Sequence, residues 1–216
     1  MNFKQLRIRA YLRGGVISDQ FLPLDGILYY QAVRKQFGAQ DATIPGASTV
    51  PEGANINLPI IHAGPKGDAW FYACSFAQWP ARLVEDSSFK VKSGDWLREG
   101  EYLASGPKIN TGSGKYKNYH IKLYYRHAIY VEWYCIGDPE EIKKLLDFCT
   151  HIGKNGGDGW GEVIRWEIQE WPEDWSIRGK DNKLMRAVPA KDSQFLYGIR
   201  PSYWLQKHIF PCKMPE

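Results

Sequence analysis

The segment His151-Ile152-Gly153-Lys154-Asn155-Gly156-Gly157-Asp158-Gly159-Trp160-Gly161-Glu162 gathers five glycines into nine residues, with a lysine and a tryptophan among them. Glycine reaches backbone conformations closed to other residues and lets a partner come close to the main chain. A loop of this kind can turn several amide N–H groups toward one anion, and Lys154 would add a full charge. A second stretch, Tyr119 to Tyr125, alternates, with His120, Lys122 and Tyr124 on one face and Ile121, Leu123 and Tyr125 on the other. Histidine removes or donates a proton and lysine stabilises phosphate charge, so that face could carry acid–base chemistry on RNA. A strand face that contacts phosphates, or is simply polar, is the better reading. Same-face residues of a strand are about 6.6–6.8 Å apart, so the three would lie along a backbone rather than converge on one phosphate.

The elements that must hold these residues are legible. Asp138-Pro139-Glu140-Glu141 supplies an N-cap, a proline at the first helical position and a capping-box glutamate. Ile142, Leu145, Leu146, Cys149 and Ile152 follow at helical spacing, which predicts a helix over 139–152 that Gly153 stops. Ile164, Trp166 and Ile168 then alternate with Arg165, Glu167 and Gln169 in a strand over 162–170. The order helix, glycine loop, strand is the reverse of a dinucleotide fingerprint, which argues against a Rossmann site. Gly112-Ser113-Gly114-Lys115-Tyr116 is no phosphate loop either, because Ile109 stands where the first glycine belongs and Tyr116 replaces Ser or Thr.

Upstream, Leu6, Ile8, Ala10 and Leu12 share one face of a strand over 3–12, and Arg7, Arg9, Tyr11 and Arg13 share the other. That arginine face suits nucleic acid or plain solvent equally. A helix over 24–37 is predicted to bury Ile27, Tyr30, Val33 and Phe37. Residues 38–68 read as a long irregular connection, 69–76 as an aromatic strand and 128–136 as another. Lys90, Lys92, Lys108, Lys115, Lys117 and Lys122 mark a basic finger or hairpin. The tail after Trp171-Pro172 is polar, then aromatic, with Tyr203 and Trp204 assigned to core anchoring ahead of base stacking. The assembled order predicts an α+β, ferredoxin-like (RRM-like) βαββαβ domain over 1–171. A large basic insertion at about 77–118 interrupts it, and a C-terminal aromatic-rich extension follows over 172–216.

Composition narrows the classes. Hydrophobic content of 44% and charged content of 24% are ordinary for a globular protein, and 216 residues can bury a real core. No apolar run reaches membrane-spanning length and no signal core follows the basic start, so a cytoplasmic protein without membrane contact is expected. The cysteines at 74, 135, 149 and 212 form no CxxC pair; free thiols and no metal or other cofactor are expected. A net charge of +4 permits nucleic acid without demanding it, while nine tryptophans and thirteen tyrosines supply stacking surface.

The run His151-Ile152-Gly153-Lys154 into Gly157-Asp158-Gly159-Trp160-Gly161-Glu162-Val163 resembles the glycine-rich loop of the RAMP superfamily, the ferredoxin-like RNA-binding proteins of CRISPR systems. There the loop lies between the second helix and the last strand and contacts guide RNA. Leu22-Pro23-Leu24-Asp25-Gly26 similarly resembles the passage into the first helix of RAMP subunits, and leans toward a type IV effector. The resemblance implies a non-catalytic subunit that holds the five-prime handle of the guide RNA (crRNA). Its partners would be other effector subunits, including a backbone RAMP subunit, and target DNA contact stays open. The implied RNA-binding set is Gly153, Lys154, Gly156, Gly157, Gly159, Trp160 and Gly161 with Arg7, Arg9, Arg13, Lys115, Lys117, His120 and Lys122. The alternative is a metal-independent endoribonuclease for repeat RNA using His120, Lys122 and Tyr124. The family's dedicated nucleases carry a histidine in or near the first helix; here the first histidine is His62, so that role does not carry over.

Overall fold

The strand over which the rest assembles is β1 (Lys4–Leu12), because its alternation sends Leu6, Ile8, Ala10 and Leu12 to one face, where all four are buried. The structure, a computed structural model, describes residues 2–37, 56–93 and 110–215. Lys108, the Lys115 side chain and the part of the 38–68 connection before residue 56 lie outside the described residues.

β1 is the middle of a three-stranded antiparallel sheet, with β6 (Tyr130–Gly137) on one side and β7 (Val163–Glu170) on the other. The register sets Ile8 opposite Trp133 and Ile168, and Ala10 opposite Val131 and Trp166, which makes one continuous apolar layer. Trp133 is fully buried and donates its ring N–H to the Leu22 carbonyl at 2.9 Å. The fold is mixed α+β, mostly strands, with two α-helices among the described residues. α1 (Leu24–Phe37) and α2 (Pro139–Leu146) contribute Leu24, Ile27, Leu28, Ile142, Leu145 and Leu146 to the same core.

Between α1 and β6 the expected strand near 69–76 shrinks to β3 (Phe71–Tyr72), which pairs with β2 (His62–Ala63). From there the chain runs beside β6 through single bridges, Cys74 to Cys135 and Gln78 to Glu132. β4 (Val84–Lys92) and β5 (Tyr119–His127) form a separate two-stranded hairpin whose nine register pairs run from Val84 with His127 to Lys92 with Tyr119. The tail folds into a small sheet in which β10 (Ile209–Lys213) lies between β8 (Val188–Pro189) and β9 (Leu196–Gly198). A second core of Phe71, Phe76, Ala187, Ile199 and Cys212 ties it to the main body.

Both helices also differ in detail from the sequence reading. Tyr30 and Phe37 are 51% and 47% exposed, because the helix turns Asp25, Leu28 and Gln31 inward instead. α2 ends at Leu146, and Cys149 and Ile152 reach the core from a turn that pairs with the chain returning from the glycine loop. The four cysteines are buried and unpaired, and no described helix is long and apolar enough to cross a membrane.

Candidate nucleic-acid interface

The glycine loop is built as a collar with an open tip. At its base the Ile152 amide donates to Gly161 O at 2.9 Å and the Val163 amide to Thr150 O at 2.8 Å. The segment after β1 presses on this base from outside: the Gly161 amide donates to Gly15 O at 2.9 Å and the Lys154 amide to Ile17 O at 2.6 Å. Gly153 and Gly161 are glycines for that reason. Both have positive φ, and a Cβ would sit 2.4 Å from Ile17 O at Gly153 and 1.9 Å from Ile152 O at Gly161.

At the tip, Asn155 is left-handed and opens a single 3-10 turn over Gly156–Asp158. The Asp158 and Gly159 amides are consumed inside the turn, donating to Asn155 O and Gly156 O at 2.9 and 3.0 Å. The amides of Gly156 and Gly157 meet no acceptor among the described residues. A Cβ on Gly156 would crowd His151 at 3.0 Å, whereas Gly157 and Gly159 have nothing within 4 Å. Trp160 turns away from the tip and packs on Tyr125 of the hairpin, with ring centroids 4.7 Å apart.

One side of this loop forms the wall of an open groove of about 770 Å³. The rest of its lining includes α1, through Tyr30, Gln31 and Arg34, and the C-terminal extension, through Tyr203 and Trp204. Tyr30 is 51% and Trp204 54% exposed. Arg34 lies 5.7 Å over the Tyr30 ring. Lys154 is paired with Asp19 at 2.7 Å, but both side chains are well exposed, so the pair is worth about 0–1 kcal/mol and gives way readily to a phosphate.

The chain beside Trp204 is anchored in the core. Its neighbour Tyr203 lies against Gly26, where a Cβ would come 3.3 Å from the ring, and donates its hydroxyl hydrogen to Asp25. Asp25 is fully buried, 3.7 Å from the equally buried Arg186. Burial pushes the Asp25 carboxyl up, opposed by the Arg186 guanidinium and the Tyr203 hydrogen bond. Burial pulls Arg186 down, but Asp25, Cys74 and Tyr203 together more than restore it, and the group stays above its ordinary value. Arg186 also donates to Cys74 O at 2.9 Å and Ile199 O at 2.7 Å, so one side chain ties the first helix, the bridged segment and the extension together.

The hairpin docks beside the loop through the Tyr125–Trp160 contact and a Lys90 to Asp158 ion pair. Its outer face carries the predicted trio in line. His120 stacks on Phe89 with centroids 4.5 Å apart, and the Lys122 ammonium lies 5.0 Å over the Tyr124 ring. Lys117 is exposed near the far end, and Arg13 lies 3.4 Å from Glu162 at the foot of the loop.

Arg7 and Arg9 belong elsewhere. They lie on the helix-free face of the sheet, opposite the core, where Arg9 pairs with Glu132 at 2.6 Å and Arg7 with Glu167 at 3.2 Å. Arg9 also stacks 4.3 Å over Tyr130, and Arg7 5.1 Å over Trp171. Their side chains are only 19% and 15% exposed, so the expected basic face is largely neutralised and covered. Tyr30 and Arg34 escape the sequence reading because helical spacing admits two buried faces, and Trp204 is ranked behind core anchoring because aromatics in a tail more often pack inward. A faint signal existed in Tyr30 and Arg34 themselves, an aromatic and a cation four apart on one helix face. Among the described residues no cluster of three or more His, Cys, Asp or Glu is close enough to hold a metal.

A family model described as CRISPR type IV associated protein Csf3 matches residues 91–215, more than half of the chain, and the chain belongs to that family. No curated protein matches it. The matched region takes in the glycine loop, β7 and the extension that carries Trp204.

Proposed function

We propose that this member of the type IV CRISPR-associated Csf3 family is a guide-RNA-binding subunit of an effector complex, which holds the five-prime handle without cutting it. The observation that carries the reading is the groove itself. Two free glycine amides, Lys154, Arg34 and two half-exposed aromatic rings border about 770 Å³ of open space, the mixture of phosphate and base contacts that single-stranded RNA takes. The order β1, α1, bridged strand, β6, α2, β7 supports a ferredoxin-like βαββαβ core, with the hairpin as its insertion. The RNA would cross from the groove over the loop tip to the hairpin's outer face, where Lys122, His120 and Lys117 are exposed. Other subunits of the effector, among them a backbone RAMP subunit, would continue the RNA path.

The nuclease reading has less to support it. His120 is stacked on Phe89 and the Lys122 ammonium lies over the Tyr124 ring, so the trio runs in line along the ribbon and does not converge on one phosphate. Labelled repeat RNA incubated with the protein in chelator should be retained as a complex and remain intact. A single site-specific cut, abolished by His120→Ala, would overturn the non-catalytic assignment.

A further inference from the structure

We infer that the groove takes one unpaired base, splayed from the strand and stacked on Trp204 and Tyr30. The inference rests on the RNA-binding reading above and carries it to a single nucleotide. Isolated exposed aromatics are ordinary on a protein surface. These two are not isolated: both line the same groove, and each keeps about half its surface, 54% and 51%, in solvent. Arg34 covers one side of Tyr30 at 5.7 Å.

Charge argues for a nucleotide rather than an apolar guest. The groove wall carries Arg34 and Lys154, and its one carboxylate among the described residues, Asp19, is already paired with Lys154. A phosphate on either side of the base would therefore meet cations and the free amides of Gly156 and Gly157. A volume near 770 Å³ lies within the range of small-ligand sites. Only an unpaired base offers a face to such rings, since pairing and stacking within a duplex hide it.

The backbone that carries Trp204 is anchored, which removes part of the ordering cost of binding. Tyr203 is locked to buried Asp25, and the turn around it is closed by the Leu205 amide to Ser202 O at 3.1 Å and the Ile199 amide to His208 O at 2.9 Å. The extension thereby contributes a binding residue as well as packing.

The test is an abasic scan. A series of repeat-derived oligonucleotides, each lacking one base, is titrated against wild-type protein and Trp204→Ala, with thermal melting to check folding. Wild type should lose about 5- to 150-fold in affinity at one position of the series. Trp204→Ala should lose a similar factor on intact RNA and become indifferent to that abasic position, the non-additivity expected of two halves of one contact. Trp204→Phe should retain most of the affinity, and Tyr30→Ala should reproduce part of the loss. If folded Trp204→Ala binds intact RNA like wild type, or keeps the single-position sensitivity, the base site is overturned. A weakened Gly157→Val would then still leave the RNA-binding reading standing. If wild type binds none of the oligonucleotides, both readings are overturned.

Discussion

Gly157 and Gly159 sit two residues apart at the tip of one loop, yet a valine should act differently at each. Gly157 has an ordinary backbone conformation and nothing within 4 Å of the position a Cβ would take. Valine there should change stability by no more than about 0.5 kcal/mol. Gly159 has φ +88, where an L-residue costs about 1–2 kcal/mol and a β-branched one more, for a melting temperature lower by about 2–8 °C. Gly157→Val is therefore the clean probe of RNA contact. If a phosphate is held by the amides of Gly156 and Gly157, a valine in that open space blocks its approach. Losing one hydrogen bond to a charged group costs about 1.5–3 kcal/mol, or about 10- to 150-fold in affinity. Fluorescence anisotropy with labelled repeat RNA reads the affinity, and a thermal melt of the same sample reads the fold. Unchanged affinity in a well-folded Gly157→Val protein would remove the loop tip from the site.

The affinity should fall steeply with salt. If Arg34, Lys117, Lys122 and Lys154 each neutralise a phosphate of a single strand, the log–log slope is about −2.8, and a flat titration would refute the contacts. Arg186→Met should destabilise the protein by about 3–5 kcal/mol in a denaturant titration, because it leaves the buried Asp25 carboxylate alone. The double variant with Asp25→Leu should cost less than the sum of the single changes. Asp138 predicts an acid effect. Its carboxylate is held below the usual 3.8 by the Asn2 amide at 2.7 Å and then by the first turn of α2, so its stabilisation is present above 3.8 and lost as pH falls through the lower folded value. The stability gap between wild type and Asp138→Asn should narrow as pH falls from 3.8 through the lower folded value, as followed by circular dichroism; a constant gap would refute the linkage.

Features that depend only on neighbours along the chain are legible without the fold. Alternation in Leu6, Ile8, Ala10 and Leu12 defines a half-buried strand because side chains in a strand switch faces at every residue. Asp138 and Pro139 start α2 because the cap and the fixed proline angle act within one turn, and the Asp138 side chain does accept from the Glu140 and Glu141 amides. The glycine loop was legible between its helix and strand for the same reason. What the loop faces was not. Arg7 and Arg9 read as a free basic face until β1 is paired on both edges. Only that register brings Glu167 and Glu132, 160 and 123 positions away, beside them. β4, Val-Glu-Asp-Ser-Ser-Phe-Lys-Val-Lys, has little pattern of its own and becomes a strand through its ladder to β5. Hydropathy alone turns Tyr30 inward, but α1 is rotated to bury Asp25, and a carboxylate goes inside only where Arg186 and Tyr203 arrive from the far end of the chain to meet it. Local rules set which residues form each element. Partners distant in sequence decided which face each element shows, and so placed Tyr30 and Trp204 in one groove.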